Sequence, residues 1–249
     1  MNVFWLQQTE SDVSPGTDWL CDSELLSLRG LSVPKRRADW RLGRWTAKCA
    51  VAAYFGHSME FCVLRDIEIS HNASGAPEVS LAGNSPGIEI SLSHRSGTAV
   101  CAIAPTGTLL GCDLEVVEPH SEAFVRDYFS AEEQAFVMDL PSAYRPGFLA
   151  LLWSAKESAL KALQQGLRRD TRSVVLAFLN GSSILAGNHE LTFQSARWEP
   201  GSCDLWRTLT ILDISRGQLM RGWWQSGAAL IRTVIADPPS LPPVLLTAR

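Results

Sequence analysis

Apolar and polar positions along the chain change period repeatedly, and the order of the changes is run through twice. Alternation and short apolar runs predict strands over residues 1–6, 67–70, 88–92 and 98–104, and helical recurrence predicts helices over 19–29 and 36–55. Pro105-Thr106-Gly107 then reads as a turn and a candidate boundary. A strand over 109–116 opens the second round. Its apolar residues mark it as buried, and alternation sends Asp113 and Glu115 to one face and Cys112 to the other, toward the core. Helices are predicted over 122–128, 131–140 and 144–165, the last with no Gly or Pro between Gly147 and Gly166. Strands follow over 174–179, 190–198, 206–212 and 228–235. Residues 237–249 carry Pro238, Pro239, Pro242 and Pro243 and read as an extended tail. Trp223 and Trp224 suit a core better than an exposed patch.

On the long helix, Trp153, Glu157 and Lys161 fall on one stripe at four-residue spacing. With Asp113 and Glu115 they bring three carboxylates from two elements, which are hard oxygen donors for Mg²⁺. A lysine one turn further on can neutralise a phosphate bridged by that metal. Taken singly, each piece has a plain alternative: Glu157 and Lys161 as a helix-surface pair, Asp-x-Glu as solvated positions at a strand end. Upstream, Lys35, Arg36, Arg37, Arg41, Arg44 and Lys48 concentrate positive charge in a chain whose formal net charge is -4. That suits an anionic ligand or, equally, a solvated helix face. His94 beside Ser93 is a phosphate donor or a structural histidine.

Gly111-Cys112-Asp113-Leu114-Glu115 and Trp153-Ser154-Ala155-Lys156-Glu157-Ser158-Ala159-Leu160-Lys161 carry a resemblance. They are similar, with no substitution at a defining position, to the Gly-x-Asp-x-Glu and Trp-x-x-Lys-Glu-x-x-x-Lys motifs of the 4'-phosphopantetheinyl transferase superfamily, in its larger, pseudodimeric, surfactin-synthesis type. The stretch from Pro34 to Arg44 resembles that family's basic helix, and Ser91-Leu92-Ser93-His94 its Ser-x-Ser-His element. The resemblance covers residues 34–161.

It implies an α+β fold of two similar halves, 1–105 and 106–236, packed as an intramolecular pseudodimer with the active site at their interface. It implies transfer of the 4'-phosphopantetheine arm from coenzyme A to a serine hydroxyl of an apo acyl or peptidyl carrier protein, releasing adenosine 3',5'-bisphosphate. Asp113, Glu115 and Glu157 would be the Mg²⁺ ligands, and Glu157 and Lys161 the catalytic pair. Coenzyme A would be held by Arg36, Arg37, Arg44, Ser93, His94, Asp113, Lys156 and Lys161. Tyr128-Phe129-Ser130-Ala131-Glu132-Glu133 resembles the element ahead of the carrier-contacting helix, and Ser130 with Glu133 is also a capping box. Gly75-Ala76-Pro77 departs from the family's usual Gly-Lys-Pro, so that contact is absent or supplied elsewhere, as by Arg95. A monomer is expected.

At 249 residues and 46% hydrophobic content, the chain can bury one large core or two small ones. No basic stretch followed by an apolar core opens it, and no apolar run is long enough for a membrane span, so a cytoplasmic protein is expected. Neither nucleic acid nor membrane is an expected partner. The six cysteines form no Cys-x-x-Cys pair and read as reduced thiols. Two rivals keep the same residues: a metal-dependent nuclease or phosphatase, and a non-catalytic coenzyme A-binding or carrier-docking protein.

Overall fold

Two long helices organise the chain, each laid along its own sheet. The computed structural model describes residues 1–177, 205–227 and 229–247. The first sheet has the order β11-β1-β5-β4, built from β1 (Phe4–Thr9), β4 (Ile88–Arg95), β5 (Thr98–Pro105) and β11 (Val244–Leu245). The second has the order β6-β10-β9-β8-β7, built from β6 (Leu109–Val116), β7 (Val174–Leu176), β8 (Arg207–Asp213), β9 (Gln218–Ser226) and β10 (Leu230–Asp237). A hairpin of β2 (Ile67–His71) and β3 (Pro77–Leu81) stands apart. The helices are α1 (Asp22–Arg29), α2 (Pro34–Phe55), α3 (Phe61–Asp66), α4 (Glu122–Tyr128), α5 (Ala131–Asp139) and α6 (Arg145–Ala162). The fold is mixed α+β, as expected.

Strand alternation explains the layering. On β5, Cys101 and Ile103 pack with α2 residues such as Ala47, Ala50 and Val51, while Val100, Ala102 and Ala104 face away. Those alanines meet Leu110, Cys112 and Leu114 of β6 and Val234 and Ala236 of β10 in a thin core between the sheets. On its other face, β10 gives Ile231 and Ile235 to the core beneath α6. Cys112 is thus buried on the side of β6 opposite Asp113, as alternation requires. The five cysteines among the described residues are free thiols.

A buried ion pair pins each long helix, and the two pairs are built alike. Lys48 Nζ lies 2.6 Å from Glu24 and donates to the carbonyls of Leu64 and Ile67. Lys156 Nζ lies 2.8 Å from Glu133 and donates to the carbonyls of Thr171 and Val174. Both glutamates sit at the third position of the preceding helix and accept the cap-residue N–H, from Cys21 and Ser130 respectively. The surrounding sequence repeats as well: Trp45-Thr46-Ala47-Lys48 and Trp153-Ser154-Ala155-Lys156.

Several elements were not foreseen. α3 is too short to show a helical period, and β3 opens on Pro77 and is only partly covered. In β9 the apolar alternation is broken by Arg221 and Gly222; Trp224 is buried there, and Trp223 is half-buried with its ring N–H on the Ser240 carbonyl. The first strand begins at Phe4 and runs to Thr9, later than expected. The proline-rich stretch returns to the first sheet, where Val244 and Leu245 pair in parallel with Phe4 and Trp5. The strand expected over 190–198, Cys203 and Ala228 lie outside the described residues. Among the described residues, no helix is long and apolar enough to cross a membrane.

Candidate active site

Acidic and basic residues meet because α6 lies directly on β6. A Cβ added at Gly111 would stand 1.8 Å from the Ser158 carbonyl oxygen and 2.7 Å from the Ala162 nitrogen, both main-chain atoms of α6. Only glycine permits that approach. Further along the same face, Lys161 Nζ donates to Asp113 Oδ1 at 2.8 Å and to the Cys112 carbonyl at 3.1 Å. Ser93 Oγ of β4 donates to the same Asp113 oxygen at 2.7 Å, so elements of both sheets converge on one carboxylate.

The charges here are strained by burial. Burial, then the Asp113 charge, lifts the Glu115 carboxyl to about 7 against the pull of Arg95 and Lys161. Burial also raises Glu157, with Lys161 opposing and Asp113 adding. For the Lys161 ammonium, burial works against the charge, but Asp113 and the other neighbours outweigh it and hold its pKa above the ordinary value. Asp113 Oδ2 and Glu157 Oε1 are buried with no hydrogen-bond partner among the described residues.

Unsatisfied anionic oxygens of this kind suit a hard divalent cation, and three carboxylates are the right donors for Mg²⁺. The donor chemistry therefore fits, although among the described residues no three such side chains are already gathered as a metal-binding group.

Lys161 also lines a cleft of about 530 Å³ with walls from both sheets' elements. Asp39, Trp40, Gly43 and Arg44 come from α2, His71, Asn72 and residues 74–78 from the β2–β3 turn region, and Gln164 and Gly166 from beyond α6. Arg44 is only 7% exposed; its guanidinium lies 5.1 Å from the Trp40 ring centroid and 3.4 Å from His71 Nδ1. Burial, helped by Arg44, lowers the His71 pKa. His94 sits at the rim; burial lowers it too, with Asp39 opposing and Lys161 and Lys35 adding. Arg44 and Lys161 are the cations of the lining and offer contacts for an anionic group, alongside the carboxylates of Asp39, Glu78 and Glu89.

Of the residues expected to hold coenzyme A, Arg44, His94 and Lys161 line this cleft, and Ser93 and Asp113 join it through Lys161. Arg36 is exposed and outside the lining, and Arg37 donates to the Leu28 carbonyl, tying α2 to α1. The expectation for Lys156 is corrected: its ammonium is fully buried in the Glu133 ion pair. Adjacent helical residues point about 100° apart, so a lysine beside Glu157 faces away from the Glu157 stripe. Arg95 is not free to replace the missing lysine at Ala76, because it lies 2.6 Å from Glu118 and 3.6 Å from Glu115. Trp40, His71 and Gln164 were not anticipated. Only Trp40 had a signal, standing one turn before Arg44.

Comparison with known proteins bears on these motifs. The family model described as the 4'-phosphopantetheinyl transferase superfamily matches residues 109–201. The chain is 25% identical over 166 residues to the 4'-phosphopantetheinyl transferase HetI of Nostoc sp., covering 66% of this chain and 68% of that protein. It is 32% identical over 84 residues to the holo-[acyl-carrier-protein] synthase of Streptococcus agalactiae, covering 34% of this chain and 71% of that protein. A solved holo-(acyl-carrier-protein) synthase from Bacillus anthracis, in complex with CoA (3',5'-ADP), is 22% identical with a TM-score of 0.35, over 41% of this chain and 92% of that one. The family match spans the strand with Asp113 and Glu115 and the helix with Glu157 and Lys161, and the streptococcal synthase is matched over most of its length: the chain belongs to the 4'-phosphopantetheinyl transferase superfamily.

Proposed function

We propose that this chain transfers the 4'-phosphopantetheine arm of coenzyme A to a serine hydroxyl of an apo carrier protein. The observation that carries the reading is the double role of Lys161, which lines the cleft and is ion-paired with Asp113. An anion in the cleft and the carboxylate cluster would therefore share one ammonium. A volume of about 530 Å³ lies within the range of small-ligand sites and accommodates a nucleotide.

The serine oxygen attacks the β-phosphorus of the diphosphate. The bond to the leaving adenosine 3',5'-bisphosphate breaks, and the serine proton passes to a base. Such transfers ask the protein mainly for positioning and charge neutralisation. Arg44, His94 and Lys161 serve as phosphate contacts. Glu157 takes the proton, as the carboxylate of the long helix one turn before Lys161. Asp113, Glu115 and Glu157 would hold Mg²⁺, which when bound neutralises charge on the diphosphate oxygens.

We read residues 1–105 and 106–236 as similar halves about a pseudo-twofold axis with the cleft between them. The twin Trp-x-Ala-Lys helices and their matching ion pairs support this. The protein acts as a monomer in the cytoplasm. The carrier docks on α5, where Met138 is exposed and Tyr128 and Tyr144 flank the helix at the surface.

The test is intact-mass analysis of apo carrier proteins incubated with the chain, coenzyme A and Mg²⁺. A chelator-sensitive gain of one phosphopantetheine arm on a single serine is expected. No gain on any carrier, despite coenzyme A binding, would refute the transfer.

A further inference from the structure

The helices α2 and α6 end with the same backbone hydrogen bonds and differ in the residue that takes the left-handed position. Eight positions after each buried lysine, the backbone enters the left-handed region: Gly56 (φ 69°) follows Lys48, and Gln164 (φ 53°) follows Lys156. The same two hydrogen bonds close both ends. In α2, His57 N–H bonds the Ala52 carbonyl at 2.8 Å and Gly56 N–H the Ala53 carbonyl at 3.2 Å. In α6, Gln165 N–H bonds the Leu160 carbonyl at 3.0 Å and Gln164 N–H the Lys161 carbonyl at 2.9 Å. Glycine is the usual occupant of this cap position because it has no Cβ to strain. Glutamine there carries a cost that Gly56 avoids.

The side chain of Gln164 gives a reason for it. Gln164 lines the cleft, and its Oε1 accepts from Asn72 Nδ2 at 3.3 Å; Ser74 Oγ, also 3.3 Å away, gives its proton to Asn72 Oδ1 at 2.6 Å. Those residues belong to a turn that is stiff by itself. Asn72 Oδ1 accepts from Ser74 N–H at 2.9 Å and Ala76 N–H at 3.0 Å, and Asn72 N–H bonds the Ala76 carbonyl at 2.9 Å. Beyond Gln164, Arg168 Nη2 donates to the Ser74 carbonyl at 2.6 Å. One wall of the cleft is therefore a preformed turn, held by two side chains that follow the helix bearing Lys161.

We propose that Gln164, seconded by Arg168, is a positioning residue for the nucleotide of coenzyme A. It latches the turn at 72–76 to the end of α6 and so sets the width of the cleft. The inference rests on the reading of this cleft as the coenzyme A site.

The test uses the full chain. Gln164→Gly removes the latch and also relieves the left-handed strain, so the melting temperature holds or rises. The KM for coenzyme A should rise about fivefold, the equivalent of one net hydrogen bond, while kcat and the KM for carrier hold. Calorimetric titration with adenosine 3',5'-bisphosphate should show the same ratio, and adding Arg168→Met should enlarge it. Wild-type binding with an unaltered Gln164→Gly/Arg168→Met double variant would overturn the latch alone. A wild-type chain that binds neither coenzyme A nor the bisphosphate would overturn the reading of the cleft and the latch with it.

Discussion

Gly111→Ala adds one methyl group at the point where α6 touches β6, and the structure gives its cost. The new Cβ would lie 1.8 Å from the Ser158 carbonyl oxygen and 2.8 Å from its carbon, main-chain atoms that no rotamer change can move. The helix must retreat by roughly 1.5 Å to restore ordinary contact, opening the core shared by Ala155, Ala159 and Ile235. Overpacking against side chains costs about 1–3 kcal/mol, and a main-chain clash belongs at or above the upper end. For a chain of this size, about 3 kcal/mol lowers Tm by roughly 6–12 °C. The same shift moves Lys161, whose ammonium reaches Asp113 at 2.8 Å. Misplacement by about 1 Å can cost on the order of a hundredfold in rate. Thermal denaturation and the intact-mass transfer assay read the two effects separately. A variant within about 2 °C of wild type and with near-wild-type transfer would refute the claim that this contact positions the site.

Lys156→Met should destabilise by about 3–5 kcal/mol in urea denaturation by leaving Glu133 as an unpaired buried charge, and pairing it with Glu133→Leu should recover much of the loss. Lys161→Met should lower stability as well, by leaving buried Asp113 with only the Ser93 hydroxyl, and lose turnover on the order of 10²- to 10³-fold; a folded variant with normal turnover would remove it from the site. Because folded Glu115 keeps its proton up to about pH 7, and an unfolded glutamate releases it near 4.5, the folded state binds more protons in that window. Stability in chelator should therefore fall as pH rises through it, and Glu115→Gln should flatten the slope. Met138→Glu, on the exposed face of α5, should raise the KM for carrier and leave coenzyme A binding unchanged.

The acidic cluster was legible because its members stand at fixed offsets. Two-residue spacing on a strand and four-residue spacing on a helix are geometry written directly in sequence, so Asp113, Glu115, Glu157 and Lys161 could be named together. Lys156 was misassigned because adjacency within a motif does not say which face of the helix a residue takes. Its counterpart Lys48, embedded in the same Trp-x-Ala-Lys pattern, was counted with the basic helix when it is a buried structural cation. That four-residue repeat was visible and would have exposed the kinship of α2 and α6. Gln164 had no signal, since a glutamine in the left-handed region looks like any other glutamine in a helical run. The same is true of β11, which exists only because β1 offers it an edge.

That edge has a bearing on synthesis at the ribosome. β1 is made well ahead of both its neighbours, β5 on one flank and β11 on the other, and Leu246 N–H bonds the Trp5 carbonyl at 2.8 Å. Its second partner is made about 240 residues later, which at ~5–20 residues per second is a delay of roughly 12–48 s. From the synthesis of β5 until that of β11, the first sheet shows an unpaired row of amides and carbonyls along β1, the feature that invites strands of other chains to add on. Truncation before Val244 would make the delay permanent, and aggregation of nascent or shortened chains should begin at β1.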